Sequence, residues 1–239
     1  ICSGLVGSEM CIRDSHAFDP TGRAFDVGQC HRAEAVCLAW VTLPLASPMN
    51  ELRVLQLCHK PPRPSVDGGC LAMDSVTQAW IQEGHDLKVL SLSTHKHPFR
   101  PEAMDASYLE ATGFEAIHAD TELNVRDAAS HLVTGESYHL SRFHVPEMEQ
   151  RIEAILRETV FDVVLLESLF VASYIPAIRR LSDADVVLRA HNVEHRIWED
   201  VTEDMPVGPK RWILRHFQHR LKDAELALLQ DVDAVVALT

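Results

Sequence analysis

Blocks of apolar and polar positions alternate along most of the chain, and they predict strands and helices in turn. A short continuous apolar run, about four to eight residues long, is typical of a strand buried on both faces of a parallel sheet. Runs of this kind predict strands at 53–58, 87–92, 114–118, 161–166, 185–188 and 234–238. Amphipathic segments between them predict helices at 71–80, 124–132, 146–159 and 169–181. A further long helix, interrupted or begun near Pro206, is predicted to end at Gln230.

The alternation of strands and helices from Arg53 to Leu238 predicts an α/β fold, with a doubly wound parallel sheet of Rossmann-like type. Ligands bind such sheets at the carboxyl ends of the strands. Polar groups follow three of the predicted strands at that edge, in the segments 60–69, 167–168 and 191–194. The sequence therefore places a candidate site at this edge of the sheet.

The first 48 residues show no sustained period and differ from the rest of the chain. They contain four of the six cysteines, and the opening ICSGLVGSEMCIRDS resembles the translation of a sequencing adapter. We therefore expect residues 1–48 to be a non-native or disordered leader, and Met49 to begin a single domain, 49–239. A targeting segment is the alternative, because an apolar run from Ala35 to Leu45 follows His31 and Arg32. The sequence ends on an apolar strand, which predicts that it is truncated.

Charge and composition disfavour some classes of function. The net charge of −13 argues against a nucleic-acid binder, and no apolar segment approaches the roughly 18 residues that a membrane-spanning helix needs. After Met49 only Cys58 and Cys70 remain, which favours a reducing cytoplasm over a disulfide framework. A basic stretch at 211–222 carries apolar residues at helical spacing. It either packs on the sheet or makes a peripheral contact with a membrane.

The loop after the first strand is the first candidate for ligand binding. Prolines disfavour helix at 60–64, and Asp67, Gly68 and Gly69 allow a tight turn before the next helix. Backbone N–H groups at a helix N-terminus commonly hold phosphates or carboxylates. The turn lacks G-x-G-x-x-G, the second strand ends without an acidic residue, and there is no GK[ST], so NAD and P-loop binding are disfavoured. A purely structural turn is the alternative.

The segment His191-Asn192-Val193-Glu194 is the second candidate. It places three polar side chains within four residues, directly after a buried strand. A lone histidine in this position is often a satisfied core residue, but three polar groups opposite a glycine turn favour a functional role. His191 and His195 have the spacing of metal ligands on a helix, yet the segment is not H-E-x-x-H. We therefore expect no metal site here.

Together these features resemble a known family. The first strand, the Pro-rich loop ending in Asp67-Gly68-Gly69, the pair Glu167-Ser168 and the segment RAHNVE at 189–194 are similar to the N-terminal half of a family 4 glycosyltransferase with the GT-B fold. The resemblance covers Met49 to Thr239. It implies one half of a two-domain architecture, and transfer of a sugar from a nucleotide-sugar to an acceptor with retention of configuration. It also implies no required metal or cofactor, since the nucleotide-sugar is a substrate.

The resemblance implies roles for individual residues. The donor diphosphate would lie against Gly68 and Gly69, His191 would be the catalytic residue beside the transferred sugar, and the acceptor side would contain Asn192, Glu194 and Glu167. The acceptor would be a carbohydrate or a lipid-linked molecule, and the loose region 95–141 is expected to select it. Without the donor domain, we expect little catalysis from this chain alone. A stand-alone α/β binding module and a fragment of a GT-B sugar-nucleotide epimerase remain alternatives.

Overall fold

The computed structural model describes residues 51–122 and 137–238, in which six parallel strands form one sheet. The strands are β1 (Arg53–Cys58), β2 (Asp86–Ser93), β3 (Glu115–His118), β4 (Val163–Glu167), β5 (Asp185–Ala190) and β6 (Ala234–Ala237). The helices are α1 (Gly68–Gln82), α2 (Ala106–Thr112), α3 (Tyr138–Ser141), α4 (Pro146–Glu158), α5 (Ile175–Leu181), α6 (Glu194–Glu203) and α7 (Pro209–Asp231), with 3₁₀ turns at Pro101–Ala103 and Leu169–Tyr174.

The sheet has the order β3-β2-β1-β4-β5-β6, and every neighbouring pair is parallel. This order confirms the predicted α/β, Rossmann-like sheet. The direction of winding reverses between β1 and β4, which are neighbours in the sheet although 109 residues separate Val54 from its partner Val163. Ligands of doubly wound sheets bind where the winding reverses, at the carboxyl ends of the strands.

Two apolar layers cover the sheet, one on each face. Successive side chains of a strand point to opposite faces, so Val54 and Cys58 pack with Met73 of α1, whereas Leu55 and Leu57 pack on the other side. The second layer is larger and includes α4, α5 and part of α7. All five of these side chains are completely buried, which explains the continuous apolar run of β1.

The six predicted strands are all present, with ends that shift by one or two residues. The predicted start of the first helix at Leu71 is wrong, because α1 begins at Gly68. Asp67 is the N-cap, and its Oδ1 accepts a hydrogen bond of 2.8 Å from the N–H of Cys70. The two glycines therefore form the first turn of the helix and do not precede it.

The single helix predicted over 169–181 is also wrong. A 3₁₀ turn covers Leu169–Tyr174, and α5 begins only at Ile175, with Pro176 in its first turn. A proline there fits a helix start but cannot continue an α-helix from upstream, because it has no N–H to donate. The long C-terminal helix is interrupted as predicted, with α6 and α7 as separate helices. The predicted leader and the predicted helix 124–132 lie outside the described residues.

The basic helix α7 has two different sides. Phe217 and Leu221 are buried against the rest of the fold, whereas Trp212 is 69% exposed and Val207, just before the helix, is 92% exposed. The buried side fits the predicted packing on the sheet, and the exposed side leaves a surface for the predicted membrane contact. Within the described part of the chain, no helix is both long and apolar enough to cross a bilayer.

Candidate active site

Polar side chains from three neighbouring strands meet where the winding reverses. Glu167, at the end of β4, lies beside Cys58 of β1 and Arg189 of β5 in the sheet register. Because side chains alternate along a strand, Gln56, Glu167 and Arg189 all project to the face covered by α1. The sequence thus brings one acid, one base and one amide together under a helix.

The Glu167 carboxylate is the centre of this group. It is completely buried, and its Oε1 accepts a hydrogen bond of 3.1 Å from Nε2 of Gln56. Its Oε2 lies 2.8 Å from Nη1 of Arg189 and 2.8 Å from Nε2 of His191. A carboxylate paired with a guanidinium can only accept, so Nε2 of His191 carries the proton in this contact.

The network continues into α1. Thr77 donates to the amide oxygen of Gln56 over 3.0 Å, and Nη1 of Arg189 also donates to the carbonyl of Ala72 over 3.1 Å. The buried negative charge of Glu167 is therefore balanced by Arg189 and shared among four elements of the fold. Buried polar groups satisfied in this way rigidify their surroundings, so His191 is held in one orientation.

His59 is a neighbour that the sequence analysis did not single out. It follows β1 directly, and its Nδ1 lies 2.9 Å from the backbone oxygen of Glu167. Its ring centroid is 5.8 Å from that of His191 and 5.8 Å from that of Phe170. Burial lowers the pKa of His59 to about 3, so the ring is neutral at pH 7. The available signal was a polar residue at the end of the first buried strand.

The N-terminus of α1 carries its own ion pair. Nζ of Lys60 lies 2.5 Å from Oδ2 of Asp67. Burial of Asp67 disfavours its charged form, but the hydrogen bonds from Lys60 and from the N–H of Cys70 outweigh burial and hold the pKa of this carboxyl well below its usual range. Asp67 is therefore ionised at all ordinary pH values, and Lys60 is fixed over the first turn of the helix.

The two glycines differ in their surroundings. A Cβ at Gly69 would lie 3.1 Å from Nζ of Lys60, so the missing side chain makes room for that lysine. A Cβ at Gly68 would meet nothing within 4 Å, and this residue is exposed. First-turn N–H groups of a helix have no intrahelical acceptors. Contact of Gly68 and Gly69 with a diphosphate stays a prediction, and Gly68 has the open space for it.

Backbone strain marks the end of β4. Ser168 has φ 92° and ψ 154°, a region used almost entirely by glycine, and it is 2% exposed. Such residues cost on the order of 1–3 kcal/mol and cluster at functional sites. Ser168 joins Glu167 to the 3₁₀ turn that carries Phe170. The strained residue therefore lies between Glu167, which contacts both His191 and His59, and Phe170, which packs near His59.

The three polar residues predicted at 191–194 differ in burial and in contacts. His191 faces Glu167, and Asn192 is exposed. Glu194 is buried, and burial, together with the charge of Glu225, raises the pKa of its carboxyl to about 7. Oε2 of Glu225 accepts from the backbone and Nδ1 of His195, each over 2.9 Å. His191 and His195 thus contact different carboxylates and do not converge on one point.

One group of potential metal ligands escaped the sequence analysis. Donor atoms of Asp67, Cys70 and His97 all lie within 4.8 Å of one another. The group joins the N-terminus of α1 to the loop after β2, and nothing in the sequence pattern connects these two segments. The charge of Asp67 is already balanced by Lys60, and the positive end of the helix dipole disfavours a cation.

No protein-family model matches the sequence, and no curated protein matches it significantly. The solved structures that it resembles include UGT2 of Phytolacca americana in complex with UDP-2fluoro-glucose and pterostilbene, at a TM-score of 0.45 and 11% sequence identity. The match covers 80% of this chain and 48% of that one, so this chain spans about half the length of that structure. A likeness of this degree carries no functional argument.

Proposed function

We propose that this chain is the acceptor-side domain of a retaining glycosyltransferase of family 4, one half of a GT-B architecture. The observation that carries the proposal is the hydrogen bond of His191 to the buried Glu167 where the winding of the sheet reverses, together with Arg189, which joins Glu167 to Ala72 near the start of α1. The RAHNVE segment, on which the family resemblance depends, supplies two of the network's members, Arg189 and His191.

In this proposal the donor diphosphate lies against the first turn of α1. The N–H groups of Gly68 and Gly69 point to developing negative charge, and Lys60 adds a cation once the phosphate competes with Asp67 for it. Helix N–H groups and a lysine can stabilise a leaving phosphate without a metal. The donor would also be held by a second domain that is not part of this sequence.

His191 is proposed as the catalytic residue beside the transferred sugar. Glu167 fixes its ring through Nε2, which leaves Nδ1 to accept a hydrogen bond from a sugar hydroxyl. Glycosyl transfer depends on positioning and on stabilising the leaving group more than on a strong base. Glu167 is completely buried, and both of its carboxylate oxygens already accept hydrogen bonds. This favours a role in positioning His191 over direct contact between Glu167 and the acceptor.

The acceptor side is proposed to include Asn192, which is exposed, with Glu194 behind it. A carbohydrate or a lipid-linked molecule fits this role. A lipid-linked acceptor would bring the enzyme to a membrane from the cytoplasmic side, and α7 offers a surface for that contact. Its first part contains five lysines and arginines and no acid between Lys210 and Lys222, and Trp212 is exposed among them.

A binding module without catalysis is the second candidate. The observation that favours it is the pair formed by Lys60 and Asp67, which accounts for Gly69 without any ligand. A sugar-nucleotide epimerase fragment would share the fold, and its reaction product would distinguish it from a transferase.

The test begins with the gene. Reading the frame past the codon for Thr239 should reveal a second α/β domain for the nucleotide-sugar, whereas an early stop codon would favour the binding module. The encoded protein, incubated with UDP-, GDP- and ADP-sugars, should release nucleotide and give a product with retained anomeric configuration by NMR. His191→Ala should lower kcat about a hundredfold. The matched control is His144→Ala, in the loop before α4, which should leave kcat unchanged.

A further inference from the structure

A cavity of about 50 Å³ lies beside the candidate active site, at the same edge of the sheet. The loop after β1 and the loop after β2 enclose it, and nine residues line it. Four of the nine are basic, namely Arg63, Lys96, His97 and Arg100, and none is acidic.

The charge of this lining is opposite to that of the chain. The whole sequence has 35 acidic residues against 22 lysines and arginines, yet the cavity collects three cations and a histidine. A concave surface lined by charges of one sign concentrates ligands of the opposite sign. Three acids contact the lining: Asp74 and Asp105 pair with Arg63, and Oδ2 of Asp67 lies 3.8 Å from Nε2 of His97 but is itself paired with Lys60.

Arg63 is less exposed than Lys96 and Arg100, and its contacts hold it in place before any ligand binds. Nε of Arg63 donates to Asp74 over 2.8 Å, its Nη1 reaches Asp105 at 3.3 Å, and the guanidinium carbon lies 4.1 Å from the centre of the Tyr108 ring. A guanidinium has five N–H donors, so these contacts leave others for a ligand.

The opposite wall is also fixed. The N–H of Thr94 donates to the carbonyl of His97, and the N–H of His97 donates to Oγ1 of Thr94, both over 3.1 Å. The N–H of Phe99 donates to Oγ of Ser93 over 2.9 Å. The loop that carries Lys96 and Arg100 is therefore tied to the end of β2.

The size and the remaining walls narrow the class of ligand. A cavity needs about 10–15 Å³ to hold one water, so about 50 Å³ accommodates a phosphate or a carboxylate. The other walls are largely apolar and include Pro61, Pro64 and Val66, which suit the organic body to which the anionic group is attached. The geometry points to a subsite for an oxyanion carried by an organic molecule, and we propose that this molecule is the acceptor. The identification of this molecule as the acceptor rests on the proposed function, whereas the binding of the oxyanion does not.

The test is an isothermal titration of the full chain with inorganic phosphate, glucose 6-phosphate, glucuronate and glucose. We expect saturable binding of glucose 6-phosphate or glucuronate, weaker binding of phosphate, and none of glucose. The stronger of the two sugar acids identifies the anion as a phosphate or a carboxylate. Arg100→Gln and Lys96→Gln should each weaken binding about tenfold, because a hydrogen bond to a charged group is lost. The control is Arg157→Gln, on the exposed side of α4, which should leave binding unchanged.

Three results would overturn the inference. Equal weakening by Arg157→Gln would mean that the anion senses only the overall charge. Absence of saturable binding by either sugar acid would remove the subsite. Tight binding of Zn²⁺ that is lost in Cys70→Ser, without binding of either sugar acid, would assign the place to the cation cluster of Asp67, Cys70 and His97. Unfolding midpoints equal to that of the parent chain establish that the variants are folded. Failure of the proposed function is a separate result, because sugar transfer can be absent while the oxyanion still binds.

Discussion

Replacing Glu167 by glutamine tests whether the buried network holds the candidate site together. The substitution keeps the shape of the side chain but removes the negative charge that Arg189 faces across 2.8 Å. Arg189 has a side chain that is 9% exposed, so its guanidinium stays buried without a counter-ion. Breaking a buried ion pair by removing one partner costs about 3–5 kcal/mol. The glutamine amide can still accept one hydrogen bond, which places the expected loss at about 3 kcal/mol.

Urea unfolding, followed by circular dichroism at neutral pH, measures this loss as a change in the free energy of unfolding. Domains are stable by about 5–15 kcal/mol, so Glu167→Gln should shift the midpoint strongly without changing the slope. The matched control is Glu199→Gln in α6. Its side chain is 32% exposed and pairs with Arg196 at 2.7 Å, and the expected loss is below about 0.5 kcal/mol.

A second variant separates the lost charge pair from general damage. Glu167→Gln combined with Arg189→Met removes both charges, so it should be more stable than Glu167→Gln alone by at least about 1 kcal/mol. The reasoning is refuted if Glu167→Gln costs no more than the control, or if the double variant is less stable than the single one. Either result would mean that Glu167 is not needed to stabilise the buried charge of Arg189.

Three further predictions concern neighbouring parts of the fold. The carboxyl of Glu194 has a pKa raised to about 7, so the stability it contributes is complete at low pH and is lost as the pH rises through about 7. The free energy of unfolding of Glu194→Gln, measured with urea relative to the parent chain, should therefore rise by about 2 kcal/mol between about pH 5 and about pH 8.5. A difference that stays constant with pH would contradict this. Ser168→Gly should be more stable than Ser168→Ala by about 1 kcal/mol in the same assay, because only glycine relieves the strained φ of 92°. The two variants would be equally stable if the backbone were unstrained. For α7, the chain should co-sediment with vesicles of anionic lipid and stay in the supernatant with vesicles of neutral lipid, and retention here means the co-sedimenting fraction. Arg215→Glu should weaken retention about tenfold or more, since each cation near such a surface contributes about 1 kcal/mol, and retention that ignores lipid charge would exclude a membrane role for this surface.

The sequence predicts the sheet because strands buried on both faces leave a strong apolar signal. Strands β1 and β4 are the clearest cases, and their helices follow from spacing. Helix starts are harder to predict, because glycine at positions 68 and 69 has low helix propensity and the cap at Asp67 acts through a side-chain hydrogen bond. The 3₁₀ turn at Leu169–Tyr174 has the same apolar pattern as an α-helix.

The candidate site is predictable in its members more than in its contacts. His191 and Glu167 stand out because polar residues follow buried strands, but their hydrogen bond depends on the register of β4 and β5. Gln56 lies 111 residues from Glu167 along the chain, and no local pattern links them. A single amide inside the buried run of β1 was the available signal, since a buried polar group needs a partner. That signal indicates that a partner exists without indicating which residue it is.

The hydrogen bonds that join α1 to Glu167 through Gln56 and Arg189 fix the distance between two parts of the candidate site. Thr77 donates to Gln56, the carbonyl of Ala72 accepts from Arg189, and both partners bind the carboxylate that orients His191. One network of buried hydrogen bonds therefore joins α1 to the imidazole. The span between Gly68 and His191 is then set by backbone and buried side chains, and rotation of surface groups cannot adjust it. A ligand that must touch both ends is selected by its length, and one that is a bond too long or too short loses one of its two contacts.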